Sequence, residues 1–396
     1  MIKKEMQEHL EKVMIPFWKG LHDQDCGGYF GFVDFDLKVD RKADKGCILN
    51  SRILWFFSNA YTLLNDKSLL DEAAHAFTFL KENCLDKENG GIFWSILNNG
   101  VVADSNKYTY NQAFAIYALA SYYEASGDEE ALLLAFNLFS LIESKCKDQI
   151  GYKDSFDEYF NEIENDQLSE NGVIAKKTMN TLLHLLEAYT ELYRVSAQNA
   201  GPERKALTDC LEWILSTFDE KVYNPVKRRQ EVFLDEKMNP IIDLHSYGHD
   251  IESAWLIDRA VEVLGNRSYF VRMMPITAHL TDEIYKTAFD GHSLAYESEK
   301  GEVNDTRVWW VQAEGVVGFL HAYKREPKRN EYLEAARCIW NFIKNHLIDT
   351  RIDSEWFMEV TKDGDSILGR PIVEQWKCPY HNGRMCFEVI KSSIEI

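Results

Sequence analysis

Six short polar clusters in this chain of 396 residues carry the side chains needed to move protons on a small substrate. They are Ser51-Arg52, Tyr110-Asn111-Gln112, Met179-Asn180, Gly248-His249-Asp250-Ile251-Glu252, Trp309-Trp310-Val311-Gln312-Ala313-Glu314 and His381-Asn382-Gly383-Arg384. Imidazole titrates near neutrality, so one histidine can both take and return a proton. Of the eleven histidines, His249 and His381 stand in the densest of these clusters. His184 falls four residues after Asn180, on the same face of a helix. His245 precedes His249 in DLHSYGHDIE. For His184 and His245 a structural role is as well supported as a functional one. Arg52 is a permanent cation with forked donors, and tryptophan offers a flat face on which a sugar ring can lie.

These clusters can act together only if the segments behind them share an origin. Each opens an apolar segment with three- and four-residue spacing, which predicts helices over 50–64, 110–125, 178–194, 249–264, 310–323 and 381–392. These are apolar nearly all round and should be buried on all sides. The helices that follow the first five, over 69–83, 129–145, 203–218, 270–285 and 331–345, keep a polar face and should lie outside. The N-terminal amphipathic helix can partner the last half-unit. The pattern predicts an all-α (α/α)6 barrel, closed rather than an open solenoid. In such a barrel all inner helices start at one rim, so the six clusters converge. Gly–aromatic runs such as Gly27-Gly28-Tyr29-Phe30-Gly31 and Gly90-Gly91-Ile92-Phe93-Trp94 alternate like strands, which predicts short β-hairpins on that rim. No Pro/Ser-rich linker interrupts the pattern, so residues 1–396 are expected to form a single domain.

Composition narrows the function. A net charge of −20 argues against nucleic acid and anionic membranes, both of which call for clustered Lys and Arg. The eight cysteines include no CxxC pair and read as reduced, structural residues. No metal-ligand motif, phosphate loop or dinucleotide fingerprint appears, so no metal and no cofactor is expected. The N-terminus lacks the apolar core of a signal peptide, and no run is long enough to span a bilayer. The expectation is a cytoplasmic monomer acting on a small neutral molecule.

The runs SRILWFFSNAY, YTYNQAFAIYALASYY, SENG…KTMN, DLHSYGHDIE, DTRVWWVQAE and WKCPYHNGRMC resemble those of the cellobiose 2-epimerases, a branch of the N-acylglucosamine 2-epimerase superfamily. The resemblance spans nearly the whole chain. It implies an isomerase that interconverts the reducing-end glucose and mannose of β-1,4-linked disaccharides, cellobiose and also lactose. It implies His249 and His381 as the two acid/base groups, with Arg52, Tyr110, Asn180 and His184 binding the reducing-end sugar. Glu252 would orient or tune a catalytic histidine, and Trp376 and one of Trp309 and Trp310, Trp310 favoured, would stack on sugar. Epimerising C2 needs an open-chain aldehyde that acidifies the C2 proton, and an enediolate that Arg52 could stabilise. The alternatives are an N-acylglucosamine 2-epimerase or a mannose isomerase on the same scaffold, an inverting glycoside hydrolase using Glu252 and Glu314, and a non-catalytic sugar- or protein-binding module.

Overall fold

A computed structural model describes residues 2–165, 172–198 and 201–394. Ser169, Glu170 and Asn171 of the SENG run lie outside the described residues. The inner helices are α3 (Cys47–Leu64), α5 (Thr109–Ser126), α7 (Met179–Val195), α9 (Tyr247–Leu264), α11 (Trp309–Arg325) and α13 (Tyr380–Lys391). The outer helices are α4 (Lys67–Phe79), α6 (Glu129–Lys145), α8 (Pro202–Thr217), α10 (Arg267–Thr287) and α12 (Asn330–Phe342). The sixth outer rod is α1 (Ile2–His9) and α2 (Ile15–Gly20), joined by a π turn at Leu10–Met14. Inner helices are buried along most of their length, as α5 shows from Thr109 to Tyr122. That burial is why their sequences are apolar on every face. The ring closes because α13 packs against α11, α3 and α1. One core of buried side chains runs from Met6 to Val389. Among the described residues, no helix is long and apolar enough to cross a membrane.

The expected short β-hairpins are present as small two- and three-stranded antiparallel sheets. The Gly–aromatic runs form only single bridges, His22 with Tyr29 and Leu85 with Ile92. Two successive glycines in the left-handed region, Gly27-Gly28 and Gly90-Gly91, turn the chain back at once and leave no length for a ladder. The paired strands lie elsewhere on the rim, as where Lys45–Gly46, just before α3, pairs with Ser95–Ile96.

One interaction recurs six times at that rim. Two residues before five of the inner helices, and three before α13, stands a buried basic side chain: Lys45, Lys107, Lys177, His245, Arg307 and Lys377. Each meets an acid. Lys45 pairs with Asp23 at 2.6 Å, Lys107 with Asp86 at 2.7 Å, Lys177 with Asp148 at 2.6 Å, His245 with Asp250 at 2.8 Å, Arg307 with Asp290 at 2.5 Å and Lys377 with Glu355 at 2.5 Å. Except for Asp250, which lies within α9, each acid sits in the loop that follows an outer helix. The pair therefore ties that loop to the start of the next inner helix. This gives His245 a structural role. Five residues after the basic group, an amide or acid often bonds the same loop's backbone. Gln112 brackets Ile92, accepting from its N–H at 2.6 Å and donating to its carbonyl at 2.8 Å. Gln312 brackets Leu294 in the same way, at 2.9 and 2.7 Å.

Removing one member of a buried ion pair leaves the other charge unpaired, at a cost of about 3–5 kcal/mol. Lys107→Met should lower the unfolding free energy by that order, because Asp86 and Lys107 are both buried. Urea denaturation followed by circular dichroism checks this; a loss under about 1 kcal/mol would show that the pair does not hold the rim.

Candidate active site

Counting from the basic residue of each unit places the site. Seven residues on stand Arg52, Phe114, His184, Glu252, Glu314 and Arg384. They form a layer of mutual contacts at one depth in the barrel. The Arg52 guanidinium lies 4.1 Å from the centre of the Phe114 ring, and that ring lies 4.8 Å from His184. Arg384 bonds both Glu252 and Glu314. Three or four residues on come Tyr110, Asn180, His249, Trp310 and His381, one turn nearer the rim.

Above this layer opens a cavity of about 370 Å3, large enough for a small sugar. All nine residues singled out from the sequence line it: Arg52, Tyr110, Asn180, His184, His249, Glu252, Trp310, Trp376 and His381. Trp309 lines it as well. Trp310 lies against both candidate histidines, its ring centre 4.7 Å from His249 and 5.4 Å from His381. Trp309 meets only His381 of the two, edge-on at 6.4 Å. Trp376 sits over the opposite wall, 5.8 Å from Tyr110.

The two histidines are held differently. His381 Nδ1 pairs with Glu314 Oε1 at 2.8 Å, and Trp255 Nε1–H donates to the other oxygen of that acid at 3.0 Å. His249 Nδ1 meets the Ser246 hydroxyl at 2.7 Å. Glu252, expected to orient or tune a catalytic histidine, lies near His381 rather than His249. Its Oε1 accepts from Arg384 and lies 3.9 Å from His381 Nδ1, while its Oε2 is buried without a hydrogen-bond partner. His184 Nδ1 pairs with Glu187 Oε2 at 2.9 Å, and Glu187 also takes a bond from Arg384 at 2.5 Å. Arg52 donates to the Tyr110 hydroxyl at 2.7 Å and contacts Cys378 Sγ at 3.6 Å. With Asn180 Oδ1 and Arg52 Nε also unpartnered, the cavity offers buried polar atoms that a hydroxylated ligand can satisfy.

The sequence reading passed over Glu187, Tyr380 and Ser246, and gave Glu314 and Arg384 no part in holding a histidine. Spacing carried the signal: Glu187 follows His184 by three, Arg384 follows His381 by three, and Ser246 precedes His249 by three. Glu252, Glu314 and His381 bring potential ligand atoms within 4.8 Å of one another. The cation between the two acids is the Arg384 guanidinium.

Burial dominates the protonation chemistry. It drives His249 down to about 3, helped by the neighbouring His184. Burial and the charges of Arg384 and Arg52 take His381 well below the ordinary imidazole value. Burial, with Glu314 beside it, lifts Glu252 to about 8. Against burial, Arg384 and His184 hold Glu187 down to about 2. At neutral pH the His249 and His381 imidazoles are therefore neutral and can accept a proton.

The cavity, lined by aromatic, charged and imidazole side chains and set in an α/α double barrel, belongs to an isomerase, a carbohydrate 2-epimerase. The chain belongs to the N-acylglucosamine 2-epimerase (GlcNAc 2-epimerase) family, whose model matches residues 28–381. It is 47% identical over 399 residues to a cellobiose 2-epimerase of Eubacterium cellulosolvens, with 98% of each chain covered. A sugar epimerase from a ruminal bacterium superposes with a TM-score of 0.97 at 46% identity, over 100% of both chains. The cellobiose 2-epimerase of Bacillus thermoamylovorans B4167 superposes with a TM-score of 0.92 at 42% identity, over 98% of this chain and 99% of that one.

Because both imidazoles titrate below the usual value of about 6.5, a neutral base persists into acid. The acid limb of kcat/KM, which reports the free enzyme, should fall below pH 6.5. Rate profiles between pH 4 and 8 check this; a limb at or above pH 6.5 would contradict the burial argument.

Proposed function

We propose that this protein epimerises C2 of the reducing-end sugar of cellobiose, and of lactose, using His249 and His381 as the proton-transferring pair. The observation that carries this reading is the placement of both imidazoles against one tryptophan ring, Trp310, at the floor of a sugar-sized cavity. A C2 proton leaves readily only when C1 is an open aldehyde, since the carbonyl then spreads the negative charge into an enediolate. One neutral imidazole takes that proton. The other, taking up a solvent proton once the anionic enediolate stands beside it, delivers that proton to the opposite face, and the first imidazolium then releases its proton to solvent. Each properly placed acid/base contributes about 10²–10⁴-fold.

Arg52 suits the enediolate oxygen. Its hydrogen bonds go to a phenol and a thiol rather than to a carboxylate, so its charge stays available in a site of low polarity. Asn180 and Tyr110 stand one turn nearer the rim and can read the hydroxyls of the reducing-end ring. Trp376 supports the ring by stacking. Glycoside hydrolysis fits less well. Inverting enzymes keep their carboxyl groups about 6.5–9.5 Å apart with a water between, whereas Glu252 and Glu314 share one guanidinium nitrogen.

Incubation with cellobiose should give 4-O-β-D-glucosyl-D-mannose and no free glucose, as read by chromatography. His249→Ala and His381→Ala should each lower turnover by at least about 10²-fold with unchanged circular dichroism. Substantial activity in either folded variant would remove that residue from the chemistry.

A further inference from the structure

Arg384 is a fully buried cation that does not line the cavity, yet every acid near the catalytic floor converges on it. Its Nη1 donates to Glu187 Oε1 at 2.5 Å and to the Tyr380 hydroxyl. Its Nη2 donates to Glu314 Oε1 at 2.6 Å and to Glu252 Oε1. Two of those acids grip histidines through Nδ1, Glu187 holding His184 and Glu314 holding His381. In both histidines the other ring nitrogen is thereby left free of the acid's grip. The planar fork matters here. It serves Glu187 from one terminal nitrogen and both Glu252 and Glu314 from the other, which a lysine ammonium cannot reproduce with fixed geometry.

We infer that Arg384 is a positioning residue whose guanidinium, acting through Glu187 and Glu314, fixes the orientation of His184 and His381 together. The inference rests on the proposed role of His381. The groups facing His381 come from every neighbouring inner helix: Arg52 from α3, Tyr110 from α5, His184 and Glu187 from α7, Glu252 and His249 from α9, Glu314 from α11, and Arg384 and Tyr380 from its own helix. Among the charges that depress the His381 imidazole, Arg384 comes ahead of Arg52. Without Arg384, three carboxylates lose their common cation. His381 is then drawn toward the imidazolium, which cannot act as a base.

The sign of the effect follows. Loss of the guanidinium charge raises the His381 pKa, so the acid limb of the rate profile moves to higher pH. A lysine at 384 keeps the charge and loses the fork, so the limb should stay while turnover drops.

The test compares Arg384→Met, Arg384→Lys and Arg384→Met/Glu187→Gln. The double variant removes one charge of each sign and keeps the proposal testable should Arg384→Met fail to fold. Each is assayed on cellobiose across pH 4–9, and the His381 ring is titrated by NMR with carbon-13-labelled histidine, assigned through the signal missing in His381→Gln. Arg384→Met and the double variant should lose at least about tenfold in kcat with KM within about twofold, with the acid limb and the His381 titration both displaced upward. Arg384→Lys should lose kcat without that displacement. An unmoved His381 titration in the charge-removing variants would overturn the inference. An active His381→Gln would instead overturn the catalytic assignment, and the titration would still report whether Arg384 sets the state of the ring.

Discussion

The pairing of a buried basic side chain with an acid at the start of each inner helix is the constraint on which the rest of the molecule hangs. It fixes where each helix begins relative to the loop that precedes it. Once that start is fixed, the helical repeat does the rest. Position seven after the basic group turns toward the axis in every unit, and position three or four does so in five of them. Six units with unrelated side chains there thus deliver an arginine, histidines, acids and aromatics to one floor. Ion pairs at these depths contribute little net stability against apolar alternatives, while breaking one is costly. Their value here is registration: a helix slipped by one residue would carry its whole contribution off the axis.

Much of this was legible in the sequence. The all-round apolar helices, their amphipathic partners and the closing half-unit read correctly from periodicity, since burial on all sides leaves no polar stripe. Helix α6 matched its expected bounds, 129–145. The residues singled out from the sequence line one cavity, and most of them were conspicuous as polar side chains near the starts of apolar helices. The rest depends on through-space pairing. Nothing in the neighbourhood of Glu314 says that it, rather than Glu252, reaches His381, because that contact joins two helices 67 residues apart. Short rim hairpins were legible, while the Gly–aromatic runs themselves make single bridges, because paired left-handed glycines turn the chain before a ladder can form.

The floor is built from groups that each frustrate the others' ionisation. Burial penalises every charge, and three acids compete for Arg384. The outcome is one strongly ionised carboxylate, Glu187, one carboxyl raised to about 8, Glu252, and imidazoles that stay neutral. Such separation of neighbouring titrations is how one cavity can hold acids and bases side by side at neutral pH. The walls contribute by exclusion. In the proposed mechanism, Trp310 and Trp376 would displace water from the reacting carbon and so strengthen the pull of Arg52 on a developing enediolate.

The central claim is that two different imidazoles remove and deliver the proton at C2. The group that delivers it then carries a solvent hydrogen, not the one just removed. Conversion of cellobiose in D₂O, stopped at low conversion and read by proton NMR, tests this directly. The account predicts deuterium at C2 of the epimerised ring from the first turnovers. Full proton intensity at that carbon would contradict it, since a returned hydride or a rotated carbon–carbon fragment keeps the original hydrogen.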